Sequence, residues 1–368
     1  MLSSTKRLRD LFLTATSVVL LLISGGPNGA TSIQAETRAY IANLCGNTVS
    51  VVDTDTNTVI TDIPVGAGPL LPVAKPDGSR VYVTNRGDHT VSVIDTATNT
   101  VISTIAVGQF PSGITITPDG AHVYVSSGEG TISVIDTSTN TVTASIADPF
   151  CDALAATPDG KRVYVLNNEI TLSNTVSIID TATNTIVNTF PLTFGMGSIE
   201  ITPDGTRAYI TAQADTIFVL DTATNTVIDT ISVHLPIGPL AITPDGQRAY
   251  VVVVLGISVI DTTINTVVDS IQLTRGPSFI ALTPDGTRAY VSNGGHALTI
   301  NTVDVIDTTT NTLLTSIPNF DNCPAGIAIT NLQPRSKDDC KDGGYQRFTS
   351  PAFRNQGQCL KFVKEHAN

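Results

Sequence analysis

Carboxylates and imidazoles are the side chains of this chain that could act as acids, bases or metal ligands, and they are scattered along it. The 368 residues include five histidines, and no two lie at the short spacing typical of metal ligands on one element. The sequence has no Cys-x-x-Cys, His-Glu-x-x-His, Gly-x-Ser-x-Gly or phosphate-binding P-loop motif. We therefore expect no enzyme activity, no metal and no cofactor, unless the fold brings distant side chains together.

The elements that would position such side chains come from an internal repeat of roughly 41 residues. Each copy contains four short runs of alternating or β-branched residues, which are typical of strands. A Pro-Asp-Gly turn follows the first run in most copies, and an Asp-Thr-x-Thr-Asn-Thr turn follows the third. One tyrosine marks each copy, at intervals of 40 to 45 residues: Tyr40, Tyr82, Tyr124, Tyr164, Tyr209, Tyr250 and Tyr290.

Seven copies of four antiparallel strands predict an all-β fold, a seven-bladed β-propeller with four-stranded blades. The first copy lacks its innermost strand, because the chain enters the repeat at the second run, 38–43. The missing strand is expected at 324–330, so that both ends of the domain complete one blade and close the ring. Such a closure depends on very distant contacts, so we expect slow folding.

The runs VYVTN, SVIDTATNTVISTIAVG and PSGITITPDG resemble the YVTN-type β-propeller repeat family. The resemblance covers about residues 38–332. The family includes YncE-like and surface-layer-like propellers, so the resemblance implies a propeller that is periplasmic, secreted or on the cell surface. It implies no particular activity, because propeller folds carry many unrelated functions.

The two ends of the chain differ from the repeats. Residues 1–35 have a basic start, an apolar stretch at 11–23 and small residues up to Ala35, which is typical of a signal peptide. An uncleaved anchor is the alternative, but the stretch is shorter than the about 20 residues of a membrane-spanning helix. The predicted organisation is a signal peptide at 1–35, a propeller at 36–332 and a small cysteine-containing tail at 333–368. We expect no membrane span in the mature chain.

Two cysteines flank the predicted closure of the ring. Cys45 follows the second strand of the first blade, and Cys323 precedes the closing strand. In a complete copy these positions correspond to Glu129 and Phe110, which face each other across a hairpin. We therefore predict a Cys45–Cys323 disulfide at the closure, with two free thiols as the alternative.

The other three cysteines have different settings. Cys340 and Cys359 lie in the tail, which has too few apolar residues for a core, so a Cys340–Cys359 disulfide would hold it together. A flexible tail with free thiols is the alternative. Cys151 is left over, and we expect it to be a buried small hydrophobic residue.

The net charge of −12 has a structural origin in turns. An acidic chain repels phosphate backbones, so we expect no nucleic-acid partner. Seven aspartates belong to Asp-Thr turns and six to Pro-Asp-Gly turns: Asp53, Asp95, Asp136, Asp180, Asp221, Asp261 and Asp307, then Asp77, Asp119, Asp159, Asp204, Asp245 and Asp285.

Turn geometry dictates the loops at one end of the ring, the constant end, which carries both repeated turns. The loops at the opposite end, the variable end, join the second strand to the third and one blade to the next, and they differ between copies. Loops that are free to differ can make specific contacts. The candidate ligand-binding residues therefore belong to the variable end and the channel: Arg86, His89, Glu129, Asp152, Glu169, Glu200, Asp215, His234, Arg275 and His296.

Glu200 is the most distinctive of these candidates. At its position in the innermost strand the other six copies have Val73, Thr115 or an alanine. A carboxylate there would project into channel water, or it would bind a cation or a polar ligand. A solvated carboxylate without a ligand is the simpler interpretation, because an unpaired buried charge is costly.

These observations favour a secreted or cell-surface binding or scaffold propeller, monomeric, that recognises a protein or small-molecule partner through the variable end. One alternative is a metal-dependent lactonase-like or hydrolase-like enzyme that would use acidic and histidine side chains around the channel mouth. Its candidate residues are Glu200, Asp152, Glu169, Asp215 and His234. The other alternative is a surface-layer component that self-assembles.

Overall fold

The computed structural model contains seven four-stranded antiparallel sheets, and six of them are built from consecutive strands. It describes residues 37–149, 151–168, 174–192, 195–213, 215–233, 236–274, 276–294, 301–318, 320, 323–331 and 356–366. The predicted signal peptide and most of the predicted tail lie outside these residues.

The strands of each blade follow the four runs of the repeat. The first blade contains β1 (Thr37–Asn43), β2 (Thr48–Asp53) and β3 (Thr58–Pro64); the second β4 (Pro69–Ala74), β5 (Arg80–Asn85), β6 (Thr90–Asp95) and β7 (Thr100–Ala106); the third β8 (Pro111–Ile116), β9 (His122–Ser127), β10 (Thr131–Asp136) and β11 (Thr141–Ala147). The fourth contains β12 (Cys151–Ala156), β13 (Arg162–Asn167), β14 (Thr175–Asp180) and β15 (Thr185–Pro191); the fifth β16 (Met196–Ile201), β17 (Arg207–Ala212), β18 (Thr216–Asp221) and β19 (Thr226–Ser232). The sixth contains β20 (Pro236–Ile242), β21 (Arg248–Val253), β22 (Gly256–Asp261) and β23 (Thr266–Gln272); the seventh β24 (Phe279–Leu282), β25 (Arg288–Asn293), β26 (Thr302–Asp307) and β27 (Thr312–Ile317). Strand β28 (Pro324–Asn331) and helix α1 (Gln356–His366) follow.

Strand β28 completes the first blade, whose strand order is β28, β1, β2, β3. It pairs antiparallel with β1, and places Ala328 opposite Tyr40 and Ile327 opposite Ile41. The innermost strands contact one another in the order β28, β4, β8, β12, β16, β20 and β24, and β24 contacts β28 again. The predicted seven-bladed ring and its closure by the C-terminal strand are confirmed.

A disulfide joins Cys45 to Cys323 at the ring closure, as the repeat alignment predicts. The two Cα atoms are 5.7 Å apart, and 278 positions separate the residues in sequence. Beside the bridge, the Leu44 backbone N–H donates to the Cys323 carbonyl at 3.1 Å. Disulfides form and persist in oxidising compartments, so this bridge indicates a location outside the reducing cytosol.

The remaining cysteines differ in state. Cys359 in α1 is disulfide-bonded, and its predicted partner Cys340 lies outside the described residues. Cys151 is a free thiol and is buried, as predicted. Burial raises the pKa of the Cys151 thiol to about 11, so it is a poor nucleophile. In the part of the chain that the structure describes, no helix combines the length and apolar character needed to cross a bilayer.

The repeat tyrosines connect each blade to the next. Every one is fully buried, and its hydroxyl donates to the turn asparagine of the following blade, for example from Tyr82 to Asn140 at 3.0 Å. These asparagines have φ between 52° and 57°, a conformation that asparagine tolerates better than most residues. The seven pairs are Tyr40–Asn99, Tyr82–Asn140, Tyr124–Asn184, Tyr164–Asn225, Tyr209–Asn265, Tyr250–Asn311 and Tyr290–Asn57. The last pair links the seventh blade to the first.

The turn aspartates hold the backbone of the constant end. Asp53 Oδ1 accepts hydrogen bonds from the backbone N–H groups of Asp55 and Thr56 at 2.9 and 2.8 Å. In a Pro-Asp-Gly turn, Asp119 Oδ1 accepts the Thr117 hydroxyl at 2.6 Å, and this bond is the main cause that lowers the Asp119 pKa. These carboxylates therefore serve the local fold, as the turn motifs predict.

Candidate functional site at the mouth of the central channel

A cavity of about 320 Å³ opens into the central channel, and all seven blades contribute to its wall. Most of its lining comes from the first half of each innermost strand, which begins at the variable end of the ring. The loop between β5 and β6 adds Arg86. The cavity therefore lies where the sequence predicts variation between blades.

One repeat position supplies an apolar wall, which we call the aliphatic collar. Strand alternation repeats the same orientation in every blade, so the seven residues surround the cavity. Four of them are also buried in the cores between blades: Leu154, Ile199, Leu240 and Ile280. The residue before each collar position is often small, as at Gly113, Ala153, Ser198 and Gly326, which keeps the space open. The collar consists of Pro72, Ile114, Leu154, Ile199, Leu240, Ile280 and Ile327.

Three of the ten candidate residues line this cavity. Arg86 and Asp152 are exposed at its rim, since the first follows β5 and the second lies at the start of β12. Glu200 lies farther along the channel, as the fifth residue of β16, and is half-buried. Charged residues from blades 2, 4 and 5 thus line the same cavity.

Glu200 stands where neighbouring blades bury alanine. It lies opposite Tyr209 of β17, and its equivalents Ala155 and Ala241 are 6% and 7% exposed in the apolar core. Burial raises the pKa of Glu200 to about 7, and a hydrogen bond from the Ile201 backbone partly opposes this shift. The carboxyl group can therefore change its charge near neutral pH.

Contacts with neighbouring strands fix Asp152 at the rim. The Ser126 hydroxyl donates to the Asp152 carbonyl at 2.6 Å, and the Asn168 amide donates to its carboxylate at 3.3 Å. A Cβ at Gly113 would lie 2.0 Å from the Asp152 carbonyl oxygen, so glycine is needed for this close approach of β8 and β12. The backbone is thus held while the carboxylate faces solvent.

Three other candidates lie in variable-end loops and do not line the cavity. His89 Nδ1 accepts the Phe110 backbone N–H at 3.0 Å, and the two rings meet edge-on with centroids 4.8 Å apart. Glu129 is exposed in the β9–β10 turn. Asp215 has a φ of 60°, and its carbonyl accepts the Val233 N–H at 2.9 Å. The remaining candidates, Glu169, His234, Arg275 and His296, lie outside the described residues.

Asp148 is a buried carboxylate that the sequence analysis did not identify. It is 4% exposed, and its Oδ1 accepts hydrogen bonds from Asn167 and Ser177, both at 3.2 Å. Its buried Oδ2 has no hydrogen-bond partner, and burial raises the Asp148 pKa to about 6. The repeat contains a signal for this residue, because the seventh copy has Asn319 at the position and the other five copies have an apolar residue: Val65, Val107, Leu192, Val233 and Leu273.

The chemistry available at the channel mouth is that of a concave site with apolar and polar walls and few charges. Among the residues that the structure describes, no three His, Cys, Asp or Glu side chains are grouped so that they could hold a metal ion. The aliphatic collar can bind an apolar body, and Arg86, Asp152 and Glu200 can orient a polar group.

Comparisons with known proteins agree with this fold. A family model described as "YNCE-like beta-propeller" matches residues 22–123. The chain is similar to Kuenenia stuttgartiensis hydrazine synthase, with 24% identity and a TM-score of 0.65 over 76% of this chain and 92% of that one. It is also similar to a functionally unknown protein from Desulfotomaculum acetoxidans DSM 771, with 18% identity and a TM-score of 0.70 over 80% and 99% of the two chains.

A third similar structure is the dihydro-heme d1 dehydrogenase NirN in complex with DHE, with 16% identity and a TM-score of 0.59 over 83% of this chain and 77% of that one. No curated protein matches the chain. At these identities the structural likeness shows the fold alone.

Proposed function

We propose that this chain is an exported binding protein whose ring is a scaffold and whose channel mouth recognises a small molecule or a projecting group of a partner. The observation that carries the proposal is the cavity lined by all seven blades, whose charged lining residues are Arg86, Asp152 and Glu200. Small-molecule sites are usually concave and mostly apolar, with a few polar groups that set orientation.

The two ends of the ring use their polar residues differently. At the constant end, carboxylates such as Asp159 and Asp204 accept hydrogen bonds within their own turns. The carboxylate of Asp152 at the variable end belongs to no such turn, and neither does the carboxylate of Glu200 inside the channel. Polar side chains that the local fold does not require support a binding role for this end.

Export is the proposed localisation of this binding protein. The segment 1–35 has the composition of a signal peptide, and the Cys45–Cys323 disulfide is suited to an oxidising compartment. A periplasmic, secreted or cell-surface position would expose the channel mouth to extracytoplasmic ligands.

A fragment screen by ligand-observed NMR tests the binding function. The variant Ser198→Phe introduces the residue that the seventh blade has at this position, Phe279, and narrows the cavity. The matched control Ile264→Phe changes a 63%-exposed side chain in a constant-end turn. We expect the affinity of channel ligands to fall at least tenfold in Ser198→Phe and to stay unchanged in Ile264→Phe. Ligands that tolerate Ser198→Phe, or a screen without ligands, would contradict the proposal.

One observation favours a second candidate, a catalytic function at the same site. A carboxyl group with a pKa of about 7 is suited to proton transfer at neutral pH. Metal analysis and product analysis separate the two candidates. Stoichiometric metal that is lost in Glu200→Ala, or turnover of a bound ester or lactone, would favour the enzyme. Binding without turnover would favour the binding protein.

A further inference from the structure

We infer that the channel mouth binds small organic ammonium ions, with the Glu200 carboxylate as counter-ion and the aliphatic collar around the apolar part of the ligand. This inference rests on the proposed binding function and adds the class of ligand. Three properties of the cavity support it: the balance of its charges, the unused hydrogen-bonding capacity of Glu200, and its size.

The charges that line the cavity favour a cation over an anion. Within the described part of the chain, two carboxylates, Glu200 and Asp152, line it against one guanidinium, Arg86. Asp152 and Arg86 are exposed at the rim, where water screens them strongly. Glu200 lies between apolar walls, where screening is weaker, so it dominates the deeper part of the cavity. An anionic ligand would meet this carboxylate at close range.

Glu200 has hydrogen-bonding capacity that the protein does not use. An ionised carboxylate can accept about four hydrogen bonds. Among the described residues, the hydrogen-bond donor to Glu200 is the Ile201 backbone, while Tyr209 opposite it donates its hydroxyl to Thr262 and Asn265. A primary ammonium offers three donors and a positive charge, so it would satisfy the carboxylate and offset the cost of its burial.

The size of the cavity limits the apolar part of the ligand. A volume of about 320 Å³ is near the lower end of the range for small-molecule sites, about 300–1,000 Å³. The collar residues that surround it are aliphatic or proline. One six-membered ring with a short arm that carries the ammonium group is the expected scale of ligand.

Protonation of Glu200 gives the inference a specific signature. Alkylammonium groups, with a pKa of about 10, remain charged between pH 6 and 8. Glu200, with a pKa of about 7, is mostly protonated at pH 6 and mostly ionised at pH 8. If the ionised form binds, affinity for the ammonium ion should rise about tenfold over this interval.

The experiment uses the full chain and three probes of similar shape: 2-cyclohexylethylammonium, the neutral 2-cyclohexylethanol and the anionic 3-cyclohexylpropanoate. Binding is measured by NMR titration at pH 6, 7 and 8. We expect the ammonium probe to bind at least tenfold more tightly than the other two at pH 8, and about tenfold more weakly at pH 6 than at pH 8.

Variants assign this behaviour to Glu200. Glu200→Gln keeps the size of the side chain and removes its charge, so it should lower the affinity at least tenfold and abolish the pH dependence. Glu200→Ala introduces the residue that blades 4 and 6 have at this position, Ala155 and Ala241, so the variant should fold. It should lower the affinity and abolish the pH dependence as Glu200→Gln does. Asp152→Asn, a change at the rim, should leave the pH dependence in place.

The outcomes separate the ligand class from the binding function. Preferred binding of the propanoate, or ammonium binding that Glu200→Gln does not weaken, would overturn the inference and leave the binding function standing. The inference is also overturned, and the binding function kept, if none of the three probes binds while other fragments bind the wild type and lose affinity for the Ser198→Phe variant. If nothing binds in the channel, both proposals fail.

Discussion

At the scale of single residues, the buried carboxylate of Asp148 lowers the free energy of unfolding at neutral pH. An aspartate in an unfolded chain has a pKa of about 3.9, whereas in the folded chain the pKa of Asp148 is raised to about 6. Between these values the folded state keeps a proton that the unfolded state has lost. The free energy of unfolding therefore falls as pH rises from about 4 to about 6, and it stays lower above that range.

Blade 2 shows that the polar cluster around this site does not need the carboxylate. Val65, at the end of blade 1, occupies the position beside blade 2 that Asp148 occupies beside blade 4, and Asn85 of blade 2 donates to Ser92 at 2.8 Å. In blade 4, Asn167 donates to Ser177 at the same distance. An apolar side chain at position 148 would therefore leave these hydrogen bonds in place.

We predict that Asp148→Val stabilises the protein at pH 8 and has little effect at pH 4. A shift of two pKa units corresponds to at most about 3 kcal/mol, so a gain of about 2 kcal/mol is expected. Urea unfolding over pH 4 to 8 measures it. The reverse change beside blade 2, Val65→Asp, is the matched control and should create a cost that grows with pH. Parallel pH profiles of wild type and Asp148→Val would refute the explanation.

At the scale of elements, the Pro-Asp-Gly turns share one conformation but differ in how closely other residues pack against their glycines. Their glycines all have φ between 69° and 73°, which other residues adopt only with strain. At Gly160, an added Cβ would lie 3.5 Å from Pro118, an ordinary contact. At Gly78, beside the closing strand β28, it would lie 1.8 Å from the Asn331 carbonyl oxygen.

We predict that Gly160→Ala costs about 1 kcal/mol of stability, which is the backbone strain alone. Gly78→Ala should cost at least twice as much, because the backbone of β28 must also move. Chemical denaturation measures both costs, and hydrogen exchange of the β28 amides should increase only in Gly78→Ala. Equal costs in the two variants would show that the closing strand is not held against this turn.

At the scale of the whole molecule, the ring is closed by contacts between residues that are very far apart in sequence. Strand β28 pairs with β1, Tyr290 donates to Asn57 at 2.6 Å, and Cys45 is bonded to Cys323. The disulfide restricts the unfolded chain more than any short-range bridge would, because the loop that it closes is long.

We predict that the double variant Cys45→Ser with Cys323→Ser loses about 3 to 5 kcal/mol of stability in the chain-entropy model. The matched comparison is Phe110→Cys with Glu129→Cys, which places a disulfide at the equivalent positions of blade 3. That bridge should form, yet stabilise the protein by about 2 kcal/mol less than the natural one, because its loop is short. Urea unfolding under oxidising conditions measures both. If the double serine variant is as stable as the wild type, the Cys45–Cys323 disulfide does not stabilise the pairing of β28.

The candidate site was predicted only in part from the sequence. The repeat alignment identified Glu200 as a departure from a pattern and assigned Asp152 and Arg86 to the variable end, and all three line one cavity in the structure. The alignment could not show that the Phe110 backbone N–H donates a hydrogen bond to the His89 side chain. These outcomes depend on how far each loop reaches over the channel, which no local pattern specifies.

The repeat pattern was enough to predict the blades, their turns, the closing strand and the Cys45–Cys323 bridge, because strand alternation and turn chemistry are local and recur seven times. The fold was needed to show which polar side chains share the channel and that Asp148 is buried where blade 3 meets blade 4. The physical reason is that burial and convergence depend on distances between separate blades, and ring closure fixes those distances.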